Sequence, residues 1–374
     1  MTSSLRSRKL ASSLWIRITV LLLLLSNTTL QAQNLAAFHD NQGRFHIFDN
    51  GRTIQAEHLP VNQFSVGGDC ILYTNNRNNL KMYYNGQVSI LEVNAPDQFV
   101  ALDYLAVYNI GGVVKIIHDG TTSTISTNSI DYQAEDSLVT FYDRNRSVLA
   151  VFYRKRVYML EDALAGRPHN KISAADNVVA YVSSRTSDLK VFYQGRNQEI
   201  EPFQSGGSFK CGRDVVAYVN QADNKFRVFY KGEIFLTEEF PPESYQMGDG
   251  LVAYIDNTGS FRVFVDGEFT GISSYTPEFY DVQNRMVIFG EQGYFKVWYD
   301  YKVYTLETYI PDKYKAEWNT ILYKDLNRNV KIFSQGESRV LTYDLIEEIS
   351  LYRDLVVVNK GMNNHNVYWK GKKY

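Results

Sequence analysis

Cysteine is scarce in this sequence: Cys70 and Cys211 are the only two among 374 residues. They lie in different copies of the repeat described below, so no disulfide framework is expected, even in an oxidising compartment. Cys211 aligns with small or apolar residues of the other copies. Both thiols are therefore predicted to be inert packing residues.

An excess of positive charge is also missing. The sequence has 39 basic and 41 acidic residues, and residues 1–32 contain four of the basic ones and no acidic one. The remainder has 35 basic against 41 acidic residues and a formal charge of −6. Such a chain has no electrostatic basis for binding nucleic acid.

Long hydrophobic runs are missing, with one short exception near the N-terminus. A basic start precedes an apolar stretch at residues 18–25, and Leu30-Gln31-Ala32 resembles a cleavage region. This pattern predicts a signal peptide at residues 1–32, a repeat domain at residues 33–374, and a secreted or periplasmic location. The stretch is shorter than the roughly 20 residues of a spanning helix, so an uncleaved anchor is the less favoured alternative and no membrane span is expected after cleavage.

Helical periodicity and proline are both scarce. No segment after residue 32 has the pattern of a long amphipathic helix, and residues 161–170, the largest insertion, have room for one helical turn at most. All eight prolines fall in one kind of connecting segment: Pro60, Pro96, Pro168, Pro202, Pro241, Pro242, Pro277 and Pro311. Because proline cannot donate a hydrogen bond to a sheet, this confinement predicts that the other segments are paired strands.

A repeated pattern fills the rest of the sequence. Its clearest copy has an apolar segment B at residues 251–255, a polar turn, an apolar segment C at residues 261–265 and a hairpin at Asp266-Gly267. The hairpin position recurs every 34 to 40 residues, at Gly51, Gly86, Gly120, Lys155, Gly195, Gly232, Gly267, Tyr301, Gly336 and Gly371. Ten copies account for essentially the whole chain after residue 32.

Turn chemistry divides each copy into four short strands, A to D. Asn-Gly and Asp-Gly pairs suit two-residue hairpins between C and D, because both central residues need a positive φ. A second tight turn precedes each segment B. It follows a short segment A with a large apolar, a variable and a smaller apolar residue, as in Phe64-Ser65-Val66 and Tyr245-Gln246-Met247.

These meanders predict an all-β fold, a β-propeller of about ten short four-stranded blades. Blades bury both faces against neighbours, which explains the almost continuously apolar segments B and C. The first copy begins at segment B (Leu35 to Phe38) without a segment A, and the last stops after segment C (Val367 to Lys370) without a segment D. Because the first copy lacks a segment A and the last lacks a segment D, the two do not combine into one complete blade. Two five-bladed rings and an open arc of blades therefore remain alternatives to one ring.

Segments B and C resemble the repeats of TolB-type and YWTD-type propellers. The resemblance is carried by strings such as Val252-Ala253-Tyr254-Ile255-Asp256 followed by Phe261-Arg262-Val263-Phe264. The chain lacks a Tyr-Trp-Thr-Asp string and a Ser-Pro-Asp-Gly turn. The resemblance covers the chain after residue 32 and implies a propeller that binds partners in the cell envelope or outside the cell. It carries over no functional residue.

Motifs for catalysis and for cofactor binding are missing as well. His39 and His46 lie near Asp40 and Asp49, and they are interpreted as solvated surface residues and not as metal ligands. The turns that begin at Asp40 and Asp256 offer one carboxylate each where a calcium loop needs several. No Gly-x-Ser-x-Gly motif is present. No cofactor and no metal are expected.

Function is expected on the rim where B–C loops and D–A connections lie together, because these segments are longer and more variable than the tight turns of the other rim. Arginine and aromatic side chains are favoured at interface centres. The candidate binding residues are Arg77, Arg144, Arg146, Arg185, Phe203, Phe240, Tyr275 and Tyr309. The variable segment-A residues, such as Lys210 and Lys315, are expected to line the central channel with mixed charge.

Two hypotheses of different class follow. The leading one is an exported non-catalytic binding or scaffold protein that recognises protein or glycan through the loop-rich rim. The alternative is a propeller enzyme, a hydrolase or lyase acting on carbohydrate, with its site at the channel mouth. A purely structural role is a third hypothesis.

Overall fold

The computed structural model describes residues 34–162, 171–204, 206–361 and 365–374. The predicted signal peptide and residues 163–170 of the largest insertion lie outside these ranges. Within them every regular element is a β-strand, and the strands form ten antiparallel sheets, here called blades 1 to 10. Blade 1 has three strands and each other blade has four, in the order A-B-C-D.

Each blade contributes strands of two to seven residues. The A strands of blades 2 to 10 are Gln63–Val66, Gln98–Ala101, Ser129–Ala134, Ile172–Ala175, Phe209–Gly212, Ser244–Met247, Phe279–Gln283, Tyr314–Glu317 and Glu348–Tyr352. The B strands of blades 1 to 10 are Leu35–His39, Cys70–Thr74, Ala106–Ile110, Leu138–Asp143, Val178–Val182, Val215–Val219, Leu251–Ile255, Met286–Glu291, Thr320–Lys324 and Leu355–Asn359.

The outer two strands of each blade complete the set. The C strands of blades 1 to 10 are Phe45–Asp49, Leu80–Tyr84, Val113–His118, Val148–Tyr153, Leu189–Tyr193, Phe226–Tyr230, Phe261–Val265, Tyr294–Tyr299, Val330–Ser334 and His365–Trp369. The D strands are Arg52–Glu57, Gln87–Glu92, Thr121–Ser126, Arg156–Asp162, Arg196–Glu201, Glu233–Glu238, Glu268–Ser273, Lys302–Glu307, Glu337–Thr342 and Lys372–Lys373. Strand D of blade 4 includes Glu161 and Asp162, which the sequence had placed in the insertion.

The C–D hairpins have the predicted left-handed backbone. Asn50 and Gly51 have φ angles of 46° and 92°. The two copies without a hairpin glycine keep the same geometry, since Lys155 has a φ of 63° and Tyr301 a φ of 59°. Residues with a side chain are strained in this region. The repeat therefore imposes the turn even where its preferred residue is absent.

Neighbouring blades share their apolar cores because side chains of one strand alternate between its two faces. In blade 7, Leu251 and Ala253 pack with blade 8, whereas Val252 and Tyr254 pack with blade 6. All four side chains are fully buried. This arrangement confirms the explanation of the continuously apolar B and C segments, because both faces of the blade are inside.

The ring closes between blade 10 and blade 1. Leu355 and Val357 of blade 10 pack in one core with Ala36 and Phe48 of blade 1. The hydroxyl of Tyr352 donates to the carbonyl of Ala37, with 3.0 Å between the oxygens. The fold is thus a single ten-bladed β-propeller, and the two-ring and open-arc alternatives are wrong.

The two end blades differ in their strands. Blade 1, described from Asn34 onward, has strands B, C and D within the described residues. Blade 10 does have a strand D, Lys372–Lys373, which pairs with Tyr368 and Trp369 of strand C. The prediction that the last copy lacks a segment D was therefore wrong. A strand of two residues is too short to show an alternating pattern in the sequence.

The A-B-C-D order of the antiparallel strands defines two rims. The A–B and C–D turns lie on one rim, here called the hairpin rim. The B–C loops and the D–A connections lie on the other, here called the loop rim. This division confirms the geometry on which the candidate binding residues were chosen.

Candidate functional site

The loop rim is built from B–C loops hydrogen-bonded to the neighbouring D–A connections. Arg144 donates its backbone N–H to the carbonyl of Asn128 at 2.9 Å, and Gln204 donates to the carbonyl of Ser187 at 2.6 Å. Loops tied in this way are held in place by the blades. The rim therefore presents its side chains from a framework that is largely fixed before a partner binds.

Large apolar side chains stand exposed on six of the D–A connections that the structure describes. Each of them is more than half exposed, and we call this set the connection array: Leu59, Val93, Phe203, Phe240, Tyr275, Tyr343 and Leu345. Single exposed apolar residues are ordinary on protein surfaces. Their recurrence in one connecting segment of the repeat, around one rim, is not explained by packing within the blades.

Phe203 is the most unusual member of the connection array. Its φ is 52°, and its side chain is 76% exposed. A bulky residue in the left-handed region is strained, and such strain persists only where the surroundings impose it. The buried carboxylate of Asp188 accepts the backbone N–H of Phe203 at 3.2 Å and helps to hold this conformation. The chain thus keeps an aromatic ring in solvent at a conformational cost.

The structure spreads the eight predicted binding residues around the loop rim. Arg77, Arg144, Arg146 and Arg185 are exposed on B–C loops, and Phe203, Phe240 and Tyr275 are exposed on connections. Arg185 and Phe203 lie on loops joined through Asp188. Among the described residues, no hydrogen bond or ion pair joins any two of the eight directly. They remain candidates for an extended surface and not for one concentrated site.

Tyr309 is the predicted residue that belongs to a cavity. Its hydroxyl accepts the backbone N–H of Leu326 at 3.1 Å, and its ring is half-buried. The cavity, here called the rim cavity, has a volume of about 1430 Å³ and lies among blades 8, 9 and 10. Its lining includes the connections at residues 309–313 and 345–347, together with residues from the B–C loop of blade 9.

The rim cavity has charges of both signs that are not paired with each other. Within the described part of the chain, none of these lining residues forms an ion pair: Lys313, Lys315, Lys324, Arg328, Asp281, Asp312, Asp325, Glu347 and Glu348. Lys315 and Lys324 donate to the backbone carbonyls of Ile349 and Ile346 at 2.6 and 2.8 Å. Lys360, by contrast, pairs with Asp344. Sequence reasoning missed this cavity because it depends on how three blades pack.

The variable strand-A residues serve mainly to join adjacent blades. Lys210 donates to the carbonyl of Tyr245 at 2.9 Å, and Gln246 donates to the carbonyl of Tyr280 at 2.6 Å. Ser173 accepts the backbone N–H of Cys211 at 3.0 Å. In each case the partner belongs to strand A of the next blade. These strand-A residues, which were expected to line the central channel, therefore help to hold adjacent blades together.

The channel mouth on the hairpin rim holds a second group of polar residues. Asp103 of blade 3 accepts hydrogen bonds from Arg353 of blade 10 at 2.8 Å and from Trp318 of blade 9 at 3.1 Å. The guanidinium of Arg353 lies 4.9 Å from the centre of the Trp318 ring. These residues connect blades that are far apart in sequence. In the sequence, the positions of Asp103, Trp318 and Arg353 indicated only that turns form there.

Two carboxyl groups near this mouth have perturbed acidity. Burial raises the pKa of Glu317 to about 7, and the negative charge of Asp103 adds to the effect. Burial and the same aspartate raise the pKa of Asp136 to about 6. Groups that titrate near neutral pH are common at functional sites, although structural clusters produce them too.

The histidines of blade 1 are less solvated than predicted. His46 Nε2 lies 3.0 Å from Asp40 Oδ2, and its ring stacks on Phe38 with 5.6 Å between centroids. His39 Nε2 accepts the backbone N–H of Val61 at 3.2 Å. Both side chains are partly buried and hydrogen-bonded, so they are less exposed than the interpretation as solvated surface residues expected. Asp40 also accepts bonds from the backbone of Gln42 and Arg44, as a turn former does.

Chemically reactive clusters are limited in the described part of the chain. No group of three or more His, Cys, Asp or Glu side chains there has a metal-binding arrangement. Cys70 and Cys211 are buried free thiols, and burial raises the pKa of each to about 12. Such thiols are poor nucleophiles at neutral pH.

Among the described residues, no helix has the length and apolar character that crossing a membrane requires.

Comparison with known proteins gives one family and several weak structural similarities. A family model described as a 10-bladed beta propeller domain matches residues 29–374. No curated protein matches the sequence.

Three solved structures illustrate the range of the similarities. The computationally designed Ika8 protein is 16% identical, with 71% of this chain and 93% of that chain covered and a TM-score of 0.32. The CRINKLY WD40 ectodomain of receptor kinase ACR4 from Arabidopsis thaliana is 9% identical, with 63% and 91% covered and a TM-score of 0.33. PorZ, a surface component of the type-IX secretion system of Porphyromonas gingivalis, is 10% identical, with 84% and 51% covered and a TM-score of 0.30.

Proposed function

Because the chain belongs to the ten-bladed β-propeller family, we propose that it is an exported, non-catalytic binding or scaffold protein that recognises a protein partner through its loop rim. A propeller is suited to such a role because every blade contributes loops to the same rim. The export part of the proposal rests on the signal-peptide pattern of residues 1–32.

The connection array is the observation that supports this proposal most. Burial of exposed apolar side chains drives association, and aromatic residues are enriched among those that contribute most of the binding energy. The array offers both kinds around one rim. Its members lie on different blades, so an extended protein surface suits them better than a small molecule does.

A protein partner is favoured over a glycan by the make-up of the connection array. Leu59, Val93 and Leu345 are aliphatic, and burying aliphatic surface is the dominant favourable contribution in protein association. A polar sugar gains little from contact with such side chains. A glycan partner therefore remains as an outcome of the test and not as the proposal.

The test is capture from an envelope extract with a variant in which Val93, Phe203, Phe240 and Tyr275 are all replaced by serine. A matched control replaces Met159, Ile234, Leu236 and Val303, exposed apolar residues of outer strands, by serine. We expect a protein that the wild type and the control capture and that the loop-rim variant loses.

Two outcomes of this experiment would overturn the proposal. One is equal capture by the wild type and the loop-rim variant, which would place the partner elsewhere on the chain. The other is a signal on a glycan panel that the loop-rim variant loses, with no protein captured, which would replace the protein partner by a carbohydrate.

A second candidate function is favoured by the raised pKa values of Glu317 and Asp136 at the hairpin-rim channel mouth. Carboxyl groups that titrate near neutral pH are suited to general acid–base work, as a carbohydrate hydrolase or lyase requires. The test is the release of reducing ends or unsaturated products from a polysaccharide panel. Activity of the wild type that Glu317→Gln abolishes would support the enzyme, and no activity on any member would reject it.

A further inference from the structure

The rim cavity is too large for a typical small ligand. Pockets for small molecules measure about 300–1,000 Å³. The rim cavity has a volume of about 1430 Å³ and extends from the loop rim to strand-A residues of blades 8, 9 and 10. A volume of this size fits a segment of a chain molecule.

The charges of the rim cavity differ from comparable charges elsewhere in the ring. At the junction of blades 8 and 9, Lys331 pairs with Glu307 at 2.5 Å. In the cavity next to it, Lys313 and Arg328 have no carboxylate partner among the described residues, and neither Glu347 nor Glu348 has a cationic one. Charges that are left unpaired within one partly enclosed space favour a ligand that brings both signs with it.

Exposed apolar side chains are among the lining residues of the rim cavity. Leu326 is 78% exposed and Leu345 is 74% exposed, and both contribute to the lining. They come from different loops, the B–C loop of blade 9 and the connection to blade 10. Tyr309, bonded to the backbone of Leu326, adds an aromatic face. These exposed side chains offer apolar surface that a ligand could cover.

We infer that the rim cavity binds an extended polypeptide segment that carries acidic, basic and apolar side chains. Polypeptides combine these three kinds of side chain at a spacing of about 3.3 Å per residue in extended form. A neutral glycan would leave both sets of charges without partners. This inference rests on the proposed protein-binding function, and it names the part of the partner that enters the cavity.

The test is selection from a display library of random peptides of about eight residues, roughly 27 Å when extended. The bait is the full chain, and a second bait is the double variant Leu326→Ser, Leu345→Ser. A third bait, with the serine substitutions of Met159, Ile234, Leu236 and Val303, controls for lost apolar surface. We expect peptides enriched in acidic, basic and apolar residues together, with affinity reduced by about tenfold on the cavity variant and unchanged on the control.

Charge reversal provides the second readout. Lys313→Glu should shift selection toward more basic peptides, and Glu347→Lys toward more acidic ones, because each substitution reverses the sign of one charge in the cavity. Both residues are exposed, so neither change threatens folding.

Three results would overturn the inference: no enrichment, peptides that bind the wild type and the cavity variant equally, or enriched peptides without charge. Any of these leaves the proposed function standing if the loop-rim variant still loses its captured partner. If that variant loses nothing, the proposed function fails regardless of the peptide result.

Discussion

The hydroxyl of Tyr254 in blade 7 donates a hydrogen bond to Glu238 at the end of blade 6, with 2.8 Å between the two oxygens. Arg262 of blade 7 donates to the same carboxylate oxygen at 2.6 Å. Equivalent Glu–Tyr–cation groups occur at four other junctions: Glu57–Tyr73–Lys81, Glu92–Tyr108–Lys115, Glu201–Tyr218–Arg227 and Glu307–Tyr323–Lys331. A repeated polar contact thus reinforces the apolar contact between blades.

Removing the shared carboxylate should destabilise the ring. Glu238→Ala leaves the buried Tyr254 hydroxyl without its acceptor, whereas Arg262 keeps Asp256 at 3.4 Å. We expect a loss of about 1 to 3 kcal/mol in unfolding free energy. Glu239→Ala is the matched control, because Glu239 is exposed and its pair with Lys225 should contribute about 0.5 kcal/mol. The measurement is the urea midpoint of each variant. Equal losses would show that the junction contact has no special weight.

The hairpin without glycine at Lys155 offers a test in the stabilising direction. Lys155 has a φ of 63°, which costs a residue with a side chain roughly 1 kcal/mol relative to glycine. Lys155→Gly should raise the unfolding free energy by about 0.5 to 1 kcal/mol after loss of the exposed contact with Asp119. Gly195→Lys at the next hairpin should do the reverse. Thermal melting compares them, and destabilisation by Lys155→Gly would contradict the repeat-based assignment of the turn.

The contact between Asp103 of blade 3 and Arg353 of blade 10 depends on a glycine of blade 2. A Cβ placed on Gly68 would collide with the guanidinium of Arg353 and with the carbonyl oxygen of Asp103. Gly68→Ala should therefore separate Arg353 from Asp103 and cost about 2 to 3 kcal/mol. Gly271→Ala is the control, since its Cβ would meet nothing within 4 Å. Similar urea midpoints for the two variants would mean that this contact does not stabilise the ring.

The raised pKa of Glu317 predicts a pH-dependent cost. Its carboxyl titrates near 4.5 in the unfolded chain and near 7 in the folded one, so the folded state binds the proton more tightly. The stability from this group is complete below pH 4.5 and is lost as the pH rises through 7. Glu317→Gln, which stays neutral, should match the wild type below pH 4.5 and exceed it by roughly 1 to 2 kcal/mol above pH 7.

Urea denaturation at both ends of that range measures the difference, and Glu243→Gln, a change at an exposed glutamate, is the control. A Glu317→Gln advantage that does not vary with pH would show that the carboxyl is not responsible. A deficit at high pH would show that its charge stabilises the mouth.

The blades could be predicted because their signals are local. Asn50-Gly51 and Asp266-Gly267 specify hairpins within two residues, and the proline positions mark the connections. Ring closure was left open because it depends on contacts such as Tyr352 with Ala37, which lie at opposite ends of the domain. The paired roles of Lys210 and Gln246 were missed for the same reason, since a strand-A residue does not reveal its neighbour in the next blade.

The candidate site was predicted at the level of a rim and not of a cavity. Arginine and aromatic residues on loops could be assigned to the loop rim once the strand order was known, and Phe203 and Phe240 are exposed there. The rim cavity combines loops and strands of three blades, so no single stretch of sequence contains it. Trp318 and Asp103 meet across the channel mouth although their turns are separated by several blades.

Site-specific photo-cross-linking in cells that produce the chain tests the central claim, that the loop rim is the binding surface. A photoreactive residue is placed at Phe203, Phe240 or Tyr275 on the loop rim, and at Tyr104 or Tyr301 on the hairpin rim, where exposure is similar. We expect one cross-linked protein product from the loop-rim positions and none from the hairpin-rim positions. The same product from Tyr104 and Tyr301, with none from the loop rim, would contradict it.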